Sequence, residues 1–211
     1  MRRVLEPELL DELPPDDPRA IHSRRDLQRV NRFMGNARLL AALLRQLPQP
    51  PRTILELGSG DGTFMLDLAR RLAPLWHTPV HLRLLDFQPV TKPETLAGFR
   101  ALGWSVEVIP SDLFVWLNST PDACDLALAN LFLHHFTDDQ LRALFASLAP
   151  RVRAFASADP RRWRPALFTC RFLWAIGCNS VTRHDAIISV RAGFRGHELS
   201  LLWPVPGRTG A

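Results

Sequence analysis

The stretch TILELGSGDGTF, residues 53–64, decides the fold, because it joins a short apolar run to three alternate glycines and the start of an amphipathic segment. That order predicts a strand, a tight turn and a helix, and a turn whose backbone approaches a ligand needs residues without a Cβ atom. The dinucleotide-binding pattern G-x-G-x-x-G is not met, because Thr63 stands where its third glycine would fall. The pattern is instead E-x-G-x-G-x-G, beginning at Glu56. It predicts a ligand-binding turn, with a plain strand-helix turn as the alternative.

Outward from this stretch, short apolar runs keep alternating with amphipathic segments as far as residue 160. The later runs are HLRLLDF (81–87), SVEVIPSD (105–112), DLALAN (125–130) and VRAFASADP (152–160). Runs this apolar are typical of strands buried on both faces of a parallel sheet, with helices as the crossovers. We therefore predict an α/β fold over residues 51–211, built on a doubly wound, mostly parallel, Rossmann-like sheet.

Residues 1–50 predict a separate layer of helices. Residues 1–17 are acidic and contain several prolines, and we expect them to form a loose lead-in. Asp17 can cap a helix that Pro18 opens, and apolar residues keep a helical period from Leu27 to Leu44 with a break at Gly35. We expect these helices to form a cap over the sheet.

The composition excludes several classes of protein. The 211 residues, 46% apolar and 22% charged, are ordinary values for one folded domain. The three cysteines do not have the spacing of metal ligands, so we expect neither a disulfide framework nor a zinc site. We therefore expect a cytoplasmic location. No apolar run approaches the about 20 residues of a membrane span. The net charge of +5 comes almost wholly from scattered arginines, and tyrosine is absent, so nucleic acid is not the expected partner.

The glycine turn and the strand ends that follow it resemble those of class I S-adenosylmethionine-dependent methyltransferases, over roughly residues 53–160. The resemblance implies S-adenosyl-L-methionine as the cofactor. It implies that Asp86 accepts hydrogen bonds from both ribose hydroxyls, and that Asp112 accepts the adenine amine with Leu113 as a backbone donor. A helix-capping role is the alternative for each aspartate. The strand end at Asn130 would turn oxygens toward the methionine part of the cofactor. Further cofactor contacts are assigned to Glu56, Gly58, Ser59, Gly60 and Phe87.

The arginines of the N-terminal layer are candidates for the carboxylate of the cofactor. Arg38 is the residue that we assign to this contact, and Arg32 is the other arginine around the sequence NRFMGN. A solvated helix face is the alternative for both residues.

Two adjacent histidines lie in LANLFLHHFTDDQ, residues 128–140. Thr137 and Gln140 match a capping box, which places His134 and His135 in the loop after the fourth strand, at the ligand-binding edge of the sheet. Neutral imidazole accepts protons near pH 7, so we expect His135 to be the catalytic base or a substrate contact and His134 to be the weaker candidate. A packing role is the alternative for one of the pair. A metal site is not expected, because adjacent side chains point apart and no third ligand is spaced to join them.

A third candidate base is His184, at the start of a helix predicted over residues 182–191 with Gly193 as its stop. Its alternative is a polar residue at a helix start. The preceding segment RRWRPALFTCRFLWAIG, residues 161–177, is expected to form an apolar wall or lid.

The C-terminal end departs from the family pattern. HELSLLWP, residues 197–204, can be a sixth strand, but VPGRTGA, residues 205–211, is too short for the usual last strand. Either the sheet lacks this member or a second copy of the chain, in a homodimer, covers that edge. The expected function is methylation of an oxygen or carbon of a small, largely apolar metabolite. An RNA or protein methyltransferase and a non-catalytic cofactor-binding partner are the alternatives.

Overall fold

The computed structural model describes residues 1–88, 90–119 and 122–204. Its sheet has five strands, all parallel, in the order β3-β2-β1-β4-β5. The strands are β1 Thr53–Leu57, β2 His81–Asp86, β3 Ser105–Pro110, β4 Cys124–Asn130 and β5 Val152–Ala158. Each predicted apolar run forms a strand, so the predicted doubly wound α/β class is confirmed.

Helices cover both faces of this sheet. The longer helices are α2 Pro18–Met34, α3 Asn36–Leu44, α4 Thr63–Leu72, α5 Pro93–Ala101, α7 Asp138–Leu148 and α9 Ser180–Ala192; the shorter ones are α1 Leu9–Glu12, α6 Leu113–Ser119 and α8 Arg164–Cys170. Successive strand residues face opposite sides. Ile54 therefore joins the core formed with α3, α4 and α5, while Leu55 joins the core formed with α6 and α7.

The chain order reverses beside β1, the central strand. β1 pairs with β2 on one side and with β4 on the other, so the loops after β1 and β4 leave the sheet in different directions. The crevice between such loops is the usual ligand site of an open α/β sheet. The glycine turn after β1 and the histidine loop after β4 border that crevice.

The helices α2 and α3 begin and end close to where the sequence predicts, whereas α1 was not predicted. Asp17 caps α2, whose first residue is Pro18, and Gly35 ends α2 in the left-handed conformation with φ +69°. The helix α3 contributes buried residues to the core beside α4, whereas α1 and α2 face the crevice. The boundary at residue 50 between a cap and a second domain stays a prediction.

The expected loose lead-in is wrong, because residues 1–10 are tied to the rest of the fold. The Arg3 guanidinium donates to the carbonyls of Ala192 and Phe136. The backbone N–H groups of Leu9 and Leu10 donate to the two carboxylate oxygens of Asp185 on α9. These contacts fix α1 against the histidine loop, a position that local sequence cannot reveal.

The predicted sixth strand over residues 197–204 is also wrong. This segment forms a 3-10 turn at Ser200–Leu202, and the Trp203 ring stacks on Phe155 of β5, with ring centroids 5.1 Å apart. The buried Arg162 forms an ion pair with Glu198, which ties this segment to the chain that follows β5. Residues 205–211, where the last strand was in question, lie outside the described residues.

The late helix is α9, and it begins at Ser180 rather than at residue 182. Asn179 causes the earlier start, because its side chain accepts the backbone N–H of Thr182. Gly193 follows the helix, as predicted. Within the described ranges, no helix is long and apolar enough to cross a bilayer.

Candidate functional site

A cavity of about 1000 Å³ lies at the carboxyl edge of the sheet, in the crevice beside β1. Its walls come from the glycine turn, the ends of β2 and β4, the histidine loop, α2 and the segment 160–176. Pockets for small molecules measure roughly 300–1000 Å³, so this one has room for a nucleoside cofactor together with a small acceptor.

The glycine turn follows β1 closely and exposes its backbone to the cavity. Gly58 has φ +66°, and a Cβ atom on it would lie 2.1 Å from the ring of Phe132. Gly60 has φ +53°, and no described atom lies within 4 Å of the position of its Cβ atom. Gly58 therefore lets two loops pack together, while Gly60 keeps the space in the cavity free.

Two polar groups at the end of β1 have no hydrogen-bond partner within the described residues, although both are buried. They are Oε2 of Glu56 and Oγ of Ser59, and both residues line the cavity. Burial raises the pKa of Glu56 well above its usual value, and the nearby charges of Asp86 and Asp61 raise it further. Buried polar atoms in folded proteins normally have partners, so this pair is suited to a polar ligand.

Asp86 stands at the end of β2 and faces the same cavity. Its Oδ2 atom accepts the backbone N–H of Gly60 at 2.7 Å, and its Oδ1 atom accepts the N–H of Gln88 at 2.8 Å. These bonds hold the carboxylate in place beside the glycine turn. Each carboxylate oxygen offers two lone pairs, so both oxygens keep capacity for a ligand's hydroxyl groups.

The residues after β2 and β3 also line the cavity. Phe87 is 74% exposed there, which leaves its ring available for stacking. Asp112 caps α6, because its Oδ1 atom accepts the N–H groups of Phe114 and Val115. Both capping bonds use Oδ1, so capping and ligand binding need not compete. Leu113 is the buried first residue of α6 and borders the cavity.

Asn130 borders the cavity, but its side chain already has protein partners. Its Oδ1 atom accepts from Asn36 at 2.8 Å, and its amide faces Asn31. The side chain thus joins β4 to α2 and α3, and its oxygen already accepts one hydrogen bond.

The sequence assignment of Arg38 to the cofactor does not agree with its position. Arg38 is exposed on α3 and is not among the described residues that line the cavity; the same holds for Arg32 on α2. The solvated helix face was the better interpretation. Arg24 is the arginine of this layer that does reach the cavity, where it donates to the Gln88 side chain.

Both histidines of the loop line the cavity and meet Glu8 of the N-terminal segment. The Oε1 atom of Glu8 lies 3.3 Å from Nε2 of His134, and its Oε2 atom lies 3.5 Å from Nε2 of His135. On the other side of the rings, Nδ1 of His134 lies 2.9 Å from Oδ1 of Asp159. Nδ1 of His135 donates to the carbonyl of Phe132 at 2.9 Å.

This arrangement corrects two expectations from the sequence. Burial alone would lower the pKa of His135, but Glu8, the Phe132 carbonyl and Asp11 raise that pKa to about 9. His135 therefore carries a proton at neutral pH and is not the neutral base that was expected. The reasoning against a metal site is also wrong, because the two rings lie with centroids 4.2 Å apart and Glu8 supplies a third donor.

His184 is half-exposed on α9 and lies outside the described cavity wall. Its Nδ1 atom is 3.0 Å from Asp185, which is engaged by the backbone of α1. The interpretation as a polar residue near a helix start fits this position, and the catalytic interpretation does not.

Several cavity residues could not be assigned from the sequence. Glu8, Asp11 and Arg24 come from the N-terminal segment, whose path depends on long-range contacts. Leu131 lines the cavity with φ +52°, a left-handed conformation that a leucine adopts only under strain. Its position directly after β4 was the one available signal, because ligand sites form at strand ends.

The fold of this chain is similar to those of several solved structures. The plantazolicin methyltransferase BpumL in complex with SAH superposes with a TM-score of 0.61 at 18% identity, covering 89% of this chain and 69% of that one. An O-methyltransferase family protein from Burkholderia thailandensis superposes with a TM-score of 0.52 at 19% identity, covering 86% of this chain and 53% of that one. The pyocyanin biosynthetic protein PhzM superposes with a TM-score of 0.52 at 16% identity, covering 84% of this chain and 48% of that one. This chain has the methyltransferase fold.

The predicted resemblance to class I S-adenosylmethionine-dependent methyltransferases is confirmed at the level of fold. No protein-family model and no curated protein matches the sequence. In the methyltransferase fold of this chain, the cavity occupies the edge of the sheet where the sequence placed the cofactor.

Proposed function

We propose that this protein is an S-adenosylmethionine-dependent methyltransferase that acts on an oxygen or carbon of a small, largely apolar metabolite. The observation that carries the proposal is the cavity at the crevice beside β1. One wall of the cavity contains the open space at Gly60 and the carboxylate of Asp86. The same wall contains buried atoms of Glu56 and Ser59 that have no hydrogen-bond partner among the described residues. These groups fit a nucleoside with an amino-acid tail better than they fit a pyrophosphate, because the described residues of that wall include carboxyl groups and no cluster of cations.

The cofactor would lie along the ends of β1, β2 and β3. Asp86 would accept the ribose hydroxyls, and Phe87 with Asp112 and Leu113 would border the adenine. Glu56 and Ser59 would meet the amino-acid end, and Arg24 replaces Arg38 as the candidate for its carboxylate. When bound, S-adenosylmethionine supplies a methyl group on a sulfonium cation, which nearby carboxylates stabilise.

The acceptor would lie in the half of the cavity that faces α2 and the segment 160–176. Most of the residues of that wall are apolar, with Phe33, Phe172, Leu173 and Ile176 among them. Apolar walls exclude water and hold a flat or aliphatic acceptor in line with the reacting methyl group, and such alignment supplies much of the rate of a displacement reaction. A small, largely apolar acceptor is therefore the substrate class that this wall supports.

Two alternatives have less support from the cavity. An RNA methyltransferase would be expected to line its site with cations, but the cavity wall holds more carboxyl groups than arginines. A protein methyltransferase stays a second candidate. A non-catalytic role was favoured only if the fold had lost its pocket, and a large cavity is present. A homodimer and a cytoplasmic location stay predictions.

The proposal is tested by calorimetry with S-adenosylmethionine, followed by incubation with labelled methyl donor and fractionated small metabolites. Label in an organic-soluble product supports the proposal. Label confined to RNA or protein would replace it with one of the alternatives, and binding without any transfer would favour the non-catalytic role.

A further inference from the structure

Three donor groups converge on one point of the cavity wall. One donor atom from each of Glu8, His134 and His135 lies within 4.8 Å of the other two. The two closest separations, from Glu8 to each ring, are 3.3 and 3.5 Å. Ligands bonded at about 2.0–2.2 Å to one tetrahedral or octahedral ion are about 3.0–3.5 Å apart. The donors therefore need little movement to share a single cation.

The opposite nitrogen of each ring is held as a hydrogen-bond donor. Nδ1 of His135 faces the carbonyl oxygen of Phe132, which can only accept, and Nδ1 of His134 faces the carboxylate of Asp159. Both contacts measure 2.9 Å. Metal-binding histidines nearly always donate their second nitrogen to a carboxylate or carbonyl, which directs the other lone pair at the metal.

The two rings lie side by side, with centroids 4.2 Å apart, and the carboxylate of Glu8 faces Nε2 of both. A metal ion that binds between them displaces the proton that His135 carries there, because an imidazole ligand must be deprotonated. Among the described residues, Nε2 of His135 is buried without a hydrogen-bond partner, and so is Oδ2 of Asp159. A single divalent cation would meet all three donors at once.

We propose that Glu8, His134 and His135 form a site for one divalent transition-metal ion of the zinc type. Two imidazoles and one carboxylate suit such ions, and calcium or magnesium would require more oxygen ligands. Three protein ligands also leave a coordination position open, as in catalytic zinc sites. Asp11 lies close to these donors, with its Oδ2 atom 3.9 Å from Nε2 of His135.

The site has a chemical use that rests on the proposed methyltransferase function. All three ligands line the cavity that would hold the acceptor. An ion there would lower the pKa of an acceptor hydroxyl group that reached its open position, which is a known effect of bound zinc on water. The ion-binding site itself does not depend on that function.

The test uses the full chain, freed of metal with a chelator, then titrated with Zn²⁺ in a calorimeter and with Co²⁺ in an absorption spectrometer. We expect one equivalent to bind, and the visible bands of Co²⁺ to show nitrogen and oxygen ligands. His135→Gln and Glu8→Gln should each weaken binding at least about ten-fold, and Asp159→Asn should weaken it about 10- to 100-fold. His184→Gln is the matched control, because this half-exposed histidine also pairs with an aspartate but lies outside the described cavity wall.

Circular dichroism of each variant checks that the chain still folds. If Glu8→Gln fails to fold, His135→Gln decides the test, because this variant keeps the shorter contact between Glu8 and His134. The absence of stoichiometric binding, or equal affinity in the wild type and His135→Gln, would overturn the metal site and leave an ion-pair network that anchors α1. S-adenosylhomocysteine binding is measured on the same samples. If the metal binds and S-adenosylhomocysteine does not, the proposed function alone is overturned. If S-adenosylhomocysteine binds and the metal does not, the metal site alone is overturned.

Discussion

Gly60→Ala is expected to weaken cofactor binding while costing the fold little. Gly60 has φ +53°, and no described atom lies within 4 Å of its Cβ position. The left-handed backbone costs an alanine about 1–2 kcal/mol, which lowers the melting temperature of a chain of this size by roughly 2–8 °C. The methyl group would enter the cofactor space, and crowding of about 1–3 kcal/mol weakens binding roughly 5- to 150-fold.

Two further glycines separate these effects. Gly103→Ala is the matched control, because Gly103 has φ +75°, also has no described atom within 4 Å of its Cβ position, and lies outside the described cavity wall. It should lose similar stability and bind S-adenosylhomocysteine as the wild type does. Gly58→Ala should lose more stability, about 2–5 kcal/mol in total, because its Cβ atom would strike the ring of Phe132. Thermal melts and calorimetry give both quantities, and equal affinity in Gly60→Ala and Gly103→Ala would refute the placement of the cofactor.

Three more substitutions, one of them with a control variant, test the site and its support. Asp86→Asn removes a charged acceptor worth about 1.5–3 kcal/mol, so calorimetry should show S-adenosylhomocysteine binding weakened roughly 10- to 150-fold; unchanged affinity would remove Asp86 from the site. Burial raises the pKa of Glu56, so the folded state keeps a proton that the unfolded state releases, and stability should fall as the pH rises above about 4.5. Glu56→Gln should flatten that fall in thermal melts between pH 5 and 8, and parallel curves for the two proteins would contradict this account. Asp26→Ala removes a buried carboxylate that bonds to Arg29 and Thr182. Chemical denaturation should show that the free energy of unfolding falls by about 3–5 kcal/mol. Asp139→Ala removes an exposed ion pair and should change this free energy little.

Features set by neighbouring residues could be read from the sequence. The capping box of Thr137 and Gln140 forms as predicted, with both reciprocal hydrogen bonds, because its atoms lie within one helical turn. The break at Gly35 is likewise local, since a glycine in the left-handed conformation ends a helix whatever surrounds it. The parallel strands followed from apolar runs long enough to be buried on both faces.

Features set by distant contacts could not be read in this way. Glu8 meets His134 across 126 positions of the chain, so nothing near either residue indicates the pair. Glu8 also meets His135, and this second contact raises the pKa of His135 and turns an expected base into a protonated group. Residues 197–204 have the composition of a strand, but Arg162 and Phe155 bind this segment as a turn. Only the tertiary structure distinguishes the two outcomes.

The most direct test of the account is calorimetric titration of the purified wild-type chain with S-adenosylmethionine and S-adenosylhomocysteine. We expect each ligand to bind one equivalent, with a dissociation constant below about 1 mM, the upper end of usual Michaelis constants. The two ligands should compete for one site, and Gly60→Ala should weaken both of them. No heat of binding and no thermal stabilisation by either ligand at millimolar concentration would contradict the central claim that this cavity holds the methyl donor.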